Sequence, residues 1–266
     1  MFGAIAHFVG RRLEAFLAAP IKGFTPLTTG DPQALARCIR PADVLLIEGS
    51  ARISTAIKYL TQSTWSHAAL HVGPIPGRRE PDGEPHVLVE ALLGPGVVSA
   101  PLSRYARFHT RICRPVGLSR KDAEAVAAFA ISRIGKGYDA RNVVDLARYL
   151  LPTPPVPVRF RRRMIALGAG SPTRTICSTL IAQAFGAVRF PILPRIETVD
   201  AKAGIEGANA LRHEIFHIRH YSLYTPRDFD ISPYFAIVKP TIEMGFDYQG
   251  IEWARDENAA APDPAA

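Results

Sequence analysis

Short apolar segments separated by glycine and proline constrain the fold of this chain more than any other feature. The segment DVLLI at 43–47 has the length and composition of a buried strand, and HAALHV and HVLVEAL further on have the same character. Four prolines and two glycines in residues 74–85 predict a loop between these last two segments. Neighbouring strands of this kind favour antiparallel pairing. The predicted strands cover 43–47, 67–72, 86–92, 97–100 and 111–116.

Helical periodicity dominates the chain after residue 118. Ser119 and Asp122 form a capping-box-like start for a helix that continues to Gly135. Apolar spacing predicts another helix over 175–185, and an apolar run at 235–238 predicts a late strand. Strands followed by helices indicate an α+β domain, in which helices pack on an antiparallel sheet. Further helices are predicted at 51–60, 140–151 and 208–220.

The two ends of the chain differ in character from the middle. Apolar residues at helical spacing from Phe2 to Phe16 predict an amphipathic helix, which with its linker forms region 1–30. This helix either docks on the core of the domain or lies on a membrane surface. Residues 31–245 form the main domain, and residues 246–266 are predicted to be a largely disordered tail.

Charge and cysteine content narrow the cellular setting. The 32 basic and 24 acidic residues give a net charge of +8, which favours an anionic membrane surface as a partner. No recognised motif accompanies that charge, so no nucleic-acid partner is expected. Three cysteines favour a reducing compartment over a disulfide framework. With neither a signal peptide nor a spanning helix recognised, we predict a cytoplasmic protein able to lie at the periphery of the inner membrane.

Cys177 is the strongest single candidate for chemistry. It falls in the first turn of the helix predicted at 175–185. Unsatisfied N–H groups and the helix dipole favour a thiolate there and can also bind an oxyanion. A lone cysteine on a helix is otherwise a small buried apolar residue, so the assignment depends on finding a base.

The candidate bases lie on the second predicted strand. His67 and His71 share one face of that strand, and the pattern alone does not decide between them. Glu90 is a carboxylate inside an otherwise apolar strand, where burial requires a partner. Two neighbouring antiparallel strands could place Glu90 beside His67 and orient its imidazole. The alternative is that Glu90 faces solvent and His67 is an ordinary strand histidine.

A competing motif lies near residue 215. His213, Glu214 and His217 match the pattern H-E-x-x-H, in which a helix presents both histidines to zinc and the glutamate acts as general base. The predicted helix at 208–220 would provide that geometry. The sequence therefore keeps a zinc hydrolase as an alternative. The other interpretation of this segment is that its apolar residues simply pack against the rest of the protein.

A series of short segments resembles the permuted papain-like amidases, the circularly permuted NlpC-type group that includes the YiiX-like and YaeF-like proteins. The segment with TWSH resembles the part of that family that carries its histidine, and HVLVEAL resembles the part with its acidic residue. ICSTLIAQAF resembles its nucleophile helix. Ala42 stands where the family's P-G-D turn has glycine. The resembling segments are PADVLLIEG at 41–49, IKYLTQSTWSHAALHVG at 57–73, HVLVEALLGPGVVSAPL at 86–102, GKGYDARN at 135–142, ICSTLIAQAF at 176–185 and TPRDFDISPYF at 225–235.

This resemblance implies a circularly permuted papain-like fold for residues 31–245 and a cysteine hydrolase of the amidase or peptidase type. It implies Cys177 as the nucleophile, His67 as the base and Glu90 as the residue that orients it. Tyr138, Ser178 and Trp65 complete the expected substrate-binding or oxyanion residues. No cofactor is required. The implied substrate is a cell-wall peptide or a lipid-linked acyl amide, and a non-catalytic binding module on the same fold is a further alternative.

Overall fold

The fold is described from a computed structural model of the full chain. The structure describes residues 31–137, 176–199, 213–217 and 219–251, together with Arg12, Phe16, Leu17, Ala19 and Pro20. The helix predicted at 140–151 and Tyr138 lie outside the described residues.

An antiparallel sheet of six strands forms the centre of the described part of the chain. Its strands are β1 (Val44–Ile47), β2 (His67–His71), β3 (His86–Leu92), β4 (Gly96–Pro101), β5 (Thr110–Pro115) and β8 (Phe235–Val238), while β6 (Arg195–Val199) and β7 (His213–His217) pair separately. The strand order of the large sheet is β4-β3-β2-β1-β5-β8, and each neighbouring pair runs antiparallel. The α+β prediction and the antiparallel meander are therefore confirmed.

The helices predicted at 51–60 and 175–185 are present, and the helix that follows Ser119 ends at Ile131 and not at Gly135 as predicted. The Ser119 side chain accepts a hydrogen bond from the Asp122 N–H at the start of the third helix, as the capping pattern predicts. Thr225 and Asp228 form a complete capping box before the fifth. The helices are α1 (Pro32–Cys38), α2 (Arg52–Thr61), α3 (Arg120–Ile131), α4 (Ile176–Ala187), α5 (Pro226–Asp230) and α6 (Pro240–Glu243).

Alternating side chains of the central strands divide between two cores. One face of the sheet packs against α3 and α4, which contribute Val126, Leu180 and Phe185. The other face packs against α1 and the short 3-10 turn Leu102–Tyr105. Because β1 is buried along its whole length, the middle of the sheet is covered on both sides. This two-sided burial makes the charged residues inside the sheet unusual and directs attention to them.

The described N-terminal residues contact the main domain. Leu17 is buried, the carbonyl of Ala19 accepts a hydrogen bond from the Arg52 N–H, and Arg52 lies with its guanidinium carbon 4.0 Å from the centre of the Phe16 ring. These contacts agree with the interpretation in which the N-terminal segment docks on the main domain. Among the described residues, no helix is long and apolar enough to cross a membrane.

The structure corrects one secondary-structure prediction and locates one departure from the family pattern. His213–His217 is a strand paired with β6, so the helix predicted over 208–220 is wrong for these residues. Ala42, at the position where the family that the sequence resembles has glycine, has φ 69°, in the left-handed region that favours glycine. At the other end of the domain, residues 241–251 are exposed and include a 3-10 turn at Tyr248–Gly250.

Candidate active site

Cys177 lies in the first turn of α4 and is nearly buried, with 4% of its surface exposed. Its sulfur accepts hydrogen bonds from the backbone N–H groups of Ala68 and Ser178. The first N–H groups of a helix have no partner within the helix and carry partial positive charge. The structure thus places this thiol where a negative sulfur is stabilised.

His67 contacts both Cys177 and Glu90. Its Nε2 atom lies 2.5 Å from Oε2 of Glu90, and its ring is also hydrogen-bonded to the Cys177 side chain. With Nε2 engaged by the carboxylate, Nδ1 is the ring atom available to the thiol. The imidazole therefore lies between a sulfur and a carboxylate, an arrangement that fits a base held in one orientation by an acceptor.

The strand register explains how His67 and Glu90 meet. Leu70 pairs with Val89 across β2 and β3, so continuing the antiparallel register by one step places Ala69 opposite Glu90. His67 is two residues from Ala69 on the same face, which makes it the diagonal neighbour of Glu90. Long side chains reach each other across such a diagonal.

Glu90 is fully buried and is held by residues that the sequence reasoning missed. The Tyr105 hydroxyl donates a hydrogen bond to Oε2 of Glu90, and Nη1 of Arg104 lies 3.5 Å from Oε1. Both residues come from the 3-10 turn that follows β4. That turn is too short to show any hydrophobic period. The signal that could have identified the two residues is a cation and a phenol placed directly after a strand that neighbours the one with the buried acid.

Electrostatics at the site favour a charged pair of thiolate and imidazolium. Burial opposes the charged form of His67, but the charge and hydrogen bond of Cys177, followed by those of Glu90, outweigh it and raise its pKa to about 10. Burial would raise the pKa of Cys177, but the neighbouring His67 charge and hydrogen bonds lower it overall. Burial likewise opposes ionisation of Glu90, yet bonding to His67 and Tyr105 keeps the pKa of this carboxyl below its ordinary value. The directions agree for all three groups.

His71 occupies a different environment at the far end of β2. It is buried opposite Asp43, and burial lowers its pKa despite the nearby Asp43 charge and the backbone of Arg40. The Asp43 carboxylate is bound by Arg114, with Nη2 at 2.7 Å from Oδ2. The structure therefore places His67, and not His71, against Cys177.

The other residues expected at the site have different positions. Trp65 is buried, and its ring centre lies 5.0 Å from that of His109. Ser178 is fully buried, and its hydroxyl has no hydrogen-bond partner in the described part of the chain. Its backbone N–H, by contrast, contacts the Cys177 sulfur. Tyr138 lies outside the described residues.

The H-E-x-x-H segment does not have the geometry of the zinc motif. In the strand β7, the backbone positions of His213 and His217 are separated by about 13 Å, four residues of extended chain, which does not suit the helical motif. Within the ranges that the structure describes, no group of three or more histidine, cysteine, aspartate or glutamate residues could hold a metal ion.

Comparison with known proteins gives a weak structural likeness. No family model matches the sequence, and no curated protein matches it. Among solved structures, the chain is similar to the metalloprotein YiiX from Escherichia coli O157:H7, a DUF1105 protein. The two are 15% identical with a TM-score of 0.43, and the match covers 75% of this chain and 96% of that one. A likeness at this level does not assign this chain to a family or an activity.

Proposed function

We propose that this protein is a cysteine-dependent hydrolase of the amidase or peptidase type, built on a circularly permuted papain-like arrangement. The observation that supports this most is the continuous contact from the Cys177 thiol through the His67 imidazole to the Glu90 carboxylate. The order of the three residues along the chain, with the cysteine last, fits the permutation. The same three roles recur in hydrolases with unrelated chain orders.

The proposed reaction proceeds through a thioester. The Cys177 thiolate attacks the carbonyl carbon, a C–S bond forms, and the carbonyl oxygen takes the negative charge. As the carbonyl re-forms, the bond to the leaving nitrogen or oxygen breaks and His67 transfers its proton to the leaving group. His67 then takes a proton from water, and the oxygen of that water bonds to the acyl carbon. As the carbonyl re-forms, the C–S bond breaks, the carboxylic acid leaves, and Cys177 and His67 return to the thiolate and imidazolium. Glu90 holds the imidazole in one tautomer and stabilises its charged form.

Backbone groups at the start of α4 would stabilise the oxyanion. The N–H of Cys177 lies among the first residues of the helix, where such groups are unsatisfied. Preorganised donors of this kind contribute much of the rate enhancement in acyl transfer. No cofactor takes part in the proposed reaction. The bond cleaved is an amide or acyl bond, and the proposed substrate is a cell-wall peptide or a lipid-linked acyl amide.

Ionisation of the thiol provides the first test. Cys177 alkylation by iodoacetamide is followed against pH by peptide mass mapping, with the buried Cys113 as the internal comparison. Burial raises the pKa of Cys113, so it should react late or not at all. Because Cys177 is nearly buried, its absolute rate reports access, whereas the pH at half-maximal rate reports ionisation. A midpoint well below about 8.5 supports the proposal, and an ordinary midpoint contradicts it.

Trapping the acyl-enzyme tests the chemistry itself. Brief incubation with p-nitrophenyl acetate, quenched in acid, should leave one acetyl group on the peptide that contains Cys177. The acetyl group should be absent in Cys177→Ala and strongly reduced in His67→Ala. An activated thiolate with no acetylation across short acyl esters and amides would favour the alternative, a binding module that kept the site geometry.

A further inference from the structure

A second concave site lies along the other end of the helix that carries the thiol. It encloses about 870 Å³ between α3, the second half of α4 and the 3-10 turn Tyr221–Leu223. Ala182 and Gly186 of α4 line it, whereas Cys177 at the first turn does not. A volume of this size lies within the usual range for sites of small organic molecules.

The lining of this site, which we name the arginine cavity, is cationic. Arg133, Arg189 and Arg219 contribute to it, and none of its described lining residues is acidic. Arg219 has Nη1 at 3.9 Å from Oδ1 of Asp228, so its charge is partly balanced. Arg133 and Arg189 have no ion pair with any described carboxylate. The cavity therefore carries a positive potential that favours an anion.

Arg133 is held against an aromatic ring at the wall of the cavity. Its guanidinium carbon lies 4.6 Å from the centre of the Phe129 ring, which fixes the side chain against an aromatic face. Its Nε atom is buried and is therefore not accessible from the cavity. Arg133 lines the cavity, so an anion bound there would meet the remaining donors of its guanidinium group.

The backbone holds Arg189 at the rim of the cavity in a conformation that would suit glycine. The N–H of Phe190 bonds to the carbonyl of Phe185, and the N–H of Arg189 bonds to that of Gly186. This pattern is the Schellman motif that ends α4, and Arg189 occupies its left-handed position with φ 56°. An arginine there is unfavourable for folding alone.

Aromatic and apolar side chains form the rest of the wall. Phe129, Phe190 and Tyr224 line the cavity beside the guanidinium groups. Such a surface fits the face of a ring or a short apolar body, while planar guanidinium groups match phosphate or carboxylate oxygens in pairs. We propose that the arginine cavity binds a small organic anion, with a phosphate or carboxylate group at Arg133 and Arg189 and an apolar body against the aromatic residues.

Calorimetric titration of the full chain tests this proposal without depending on thiol chemistry. The probes are phenyl phosphate, benzoate and inorganic phosphate. The variants are Arg133→Gln and Arg189→Gly, and the latter removes the guanidinium while placing the favoured residue at the left-handed position, so folding is preserved. The control is Arg120→Gln, which removes an exposed arginine of α3 that pairs with Glu124 outside the cavity.

We expect phenyl phosphate or benzoate to bind, and to bind at least about tenfold more weakly to each cavity variant than to the unchanged protein. Arg120→Gln should leave the affinity unaltered. Tighter binding of phenyl phosphate than of benzoate would identify phosphate as the preferred anionic group, and the reverse would identify carboxylate. Absence of binding by both organic anions overturns the proposal. Equal affinity of phenyl phosphate and inorganic phosphate, or equal affinity in both cavity variants and the unchanged protein, also overturns it.

Discussion

The hydroxyl of Tyr105 donates a hydrogen bond to Oε2 of Glu90, the same carboxylate oxygen that faces the imidazole of His67. Burial, together with the charge of Glu90, raises the pKa of Tyr105, so the phenol stays protonated and remains a donor. A fully buried carboxylate is thus stabilised as an anion by neighbours from a strand and a turn. Its charge in turn supports the charged form of His67.

Removing this buried charge should destabilise the fold. We expect Glu90→Gln to lower the free energy of unfolding by about 3 kcal/mol, because His67 loses its anionic partner inside the protein, whereas the half-exposed Arg104 loses little. The control is Glu80→Gln, which removes the partly exposed partner of His86 and should lower it by less than about 1 kcal/mol. Chemical denaturation measures both, and equal losses would contradict the importance of burial.

Removing only the phenol hydroxyl should have a smaller effect with a defined pH dependence. We expect Tyr105→Phe to lower the free energy of unfolding by about 2 kcal/mol near neutral pH. The folded pKa of Glu90 lies below its unfolded value, so its stabilisation is present above the unfolded pKa and is lost as pH falls through the folded pKa. Losing a donor raises the folded pKa towards the unfolded value, so the acid loss should be smaller and should be complete at a higher pH than in the unchanged protein.

Denaturation of Tyr105→Phe at a series of acidic pH values measures this shift. The matched control is Tyr248→Phe, which removes a hydroxyl from an exposed tyrosine in the segment after α6. It should change the free energy of unfolding by less than about 0.5 kcal/mol and leave unchanged the acid limb, which is the pH range over which acid lowers that free energy. An unchanged acid limb in Tyr105→Phe would contradict a bond between the phenol and the ionised carboxylate.

Two pH profiles of Cys177 should differ in shape. Alkylation needs only the thiolate, so its rate should rise through the lowered pKa of Cys177 and then stay high. Turnover also needs the imidazolium as proton donor, so it should rise at the same pH and fall as His67 titrates near a pKa of about 10. Alkylation by iodoacetamide and acyl release, measured side by side, distinguish the two. Turnover that stays high well above a pH of about 10 would exclude His67 as the acid.

Replacing each of the two histidines of β2 with alanine separates activation of the Cys177 thiol from effects on packing. His67→Ala should move the alkylation midpoint of Cys177 upward by at least about one pH unit, because the thiolate loses its cationic partner. His71→Ala should leave the midpoint unchanged, since His71 lies beside Asp43 and not beside the thiol. A shift in both variants would indicate that the strand, and not the His67 charge, controls the thiol.

A close approach between β4 and the turn after α3 gives a stability prediction. Gly96 has φ 77°, and a Cβ there would lie 2.5 Å from the carbonyl oxygen of Lys136. Gly83 also has a positive φ, of 90°, but has open space around it. Gly83→Ala should therefore cost about 1 kcal/mol of unfolding free energy, and Gly96→Ala at least about 3 kcal/mol. Thermal or chemical unfolding compares them, and similar losses would contradict the steric clash.

Much of the sheet could be predicted because its strands are short apolar runs with clear breaks. The sequence alone also draws attention to Glu90 in HVLVEAL, since a carboxylate in an apolar strand requires a partner. The choice between His67 and His71 could not be predicted, because both share one face of β2. It depends on where the first turn of α4 packs, which is a contact between residues far apart in the chain.

The segment HEIFH shows why short patterns mislead. His213 and His217 share a face in a helix and also in a strand, so five residues do not separate the two periods. Pairing with Arg195–Val199 settles the matter in favour of the strand. Tyr105 was missed for a related reason, because a single 3-10 turn has too few residues for any period to be visible.

The thiol belongs to a helix on one side of an interface, while its base and acid belong to strands on the other. An isolated α4 would contain an ordinary cysteine, because the His67 and Glu90 side chains come from the strands β2 and β3. The proposed ionisation of Cys177 therefore depends on how closely α4 packs on the sheet. In mild denaturant, a loosened interface should move the pH at half-maximal alkylation upward while circular dichroism still records intact helices and strands, so that midpoint reports tertiary order.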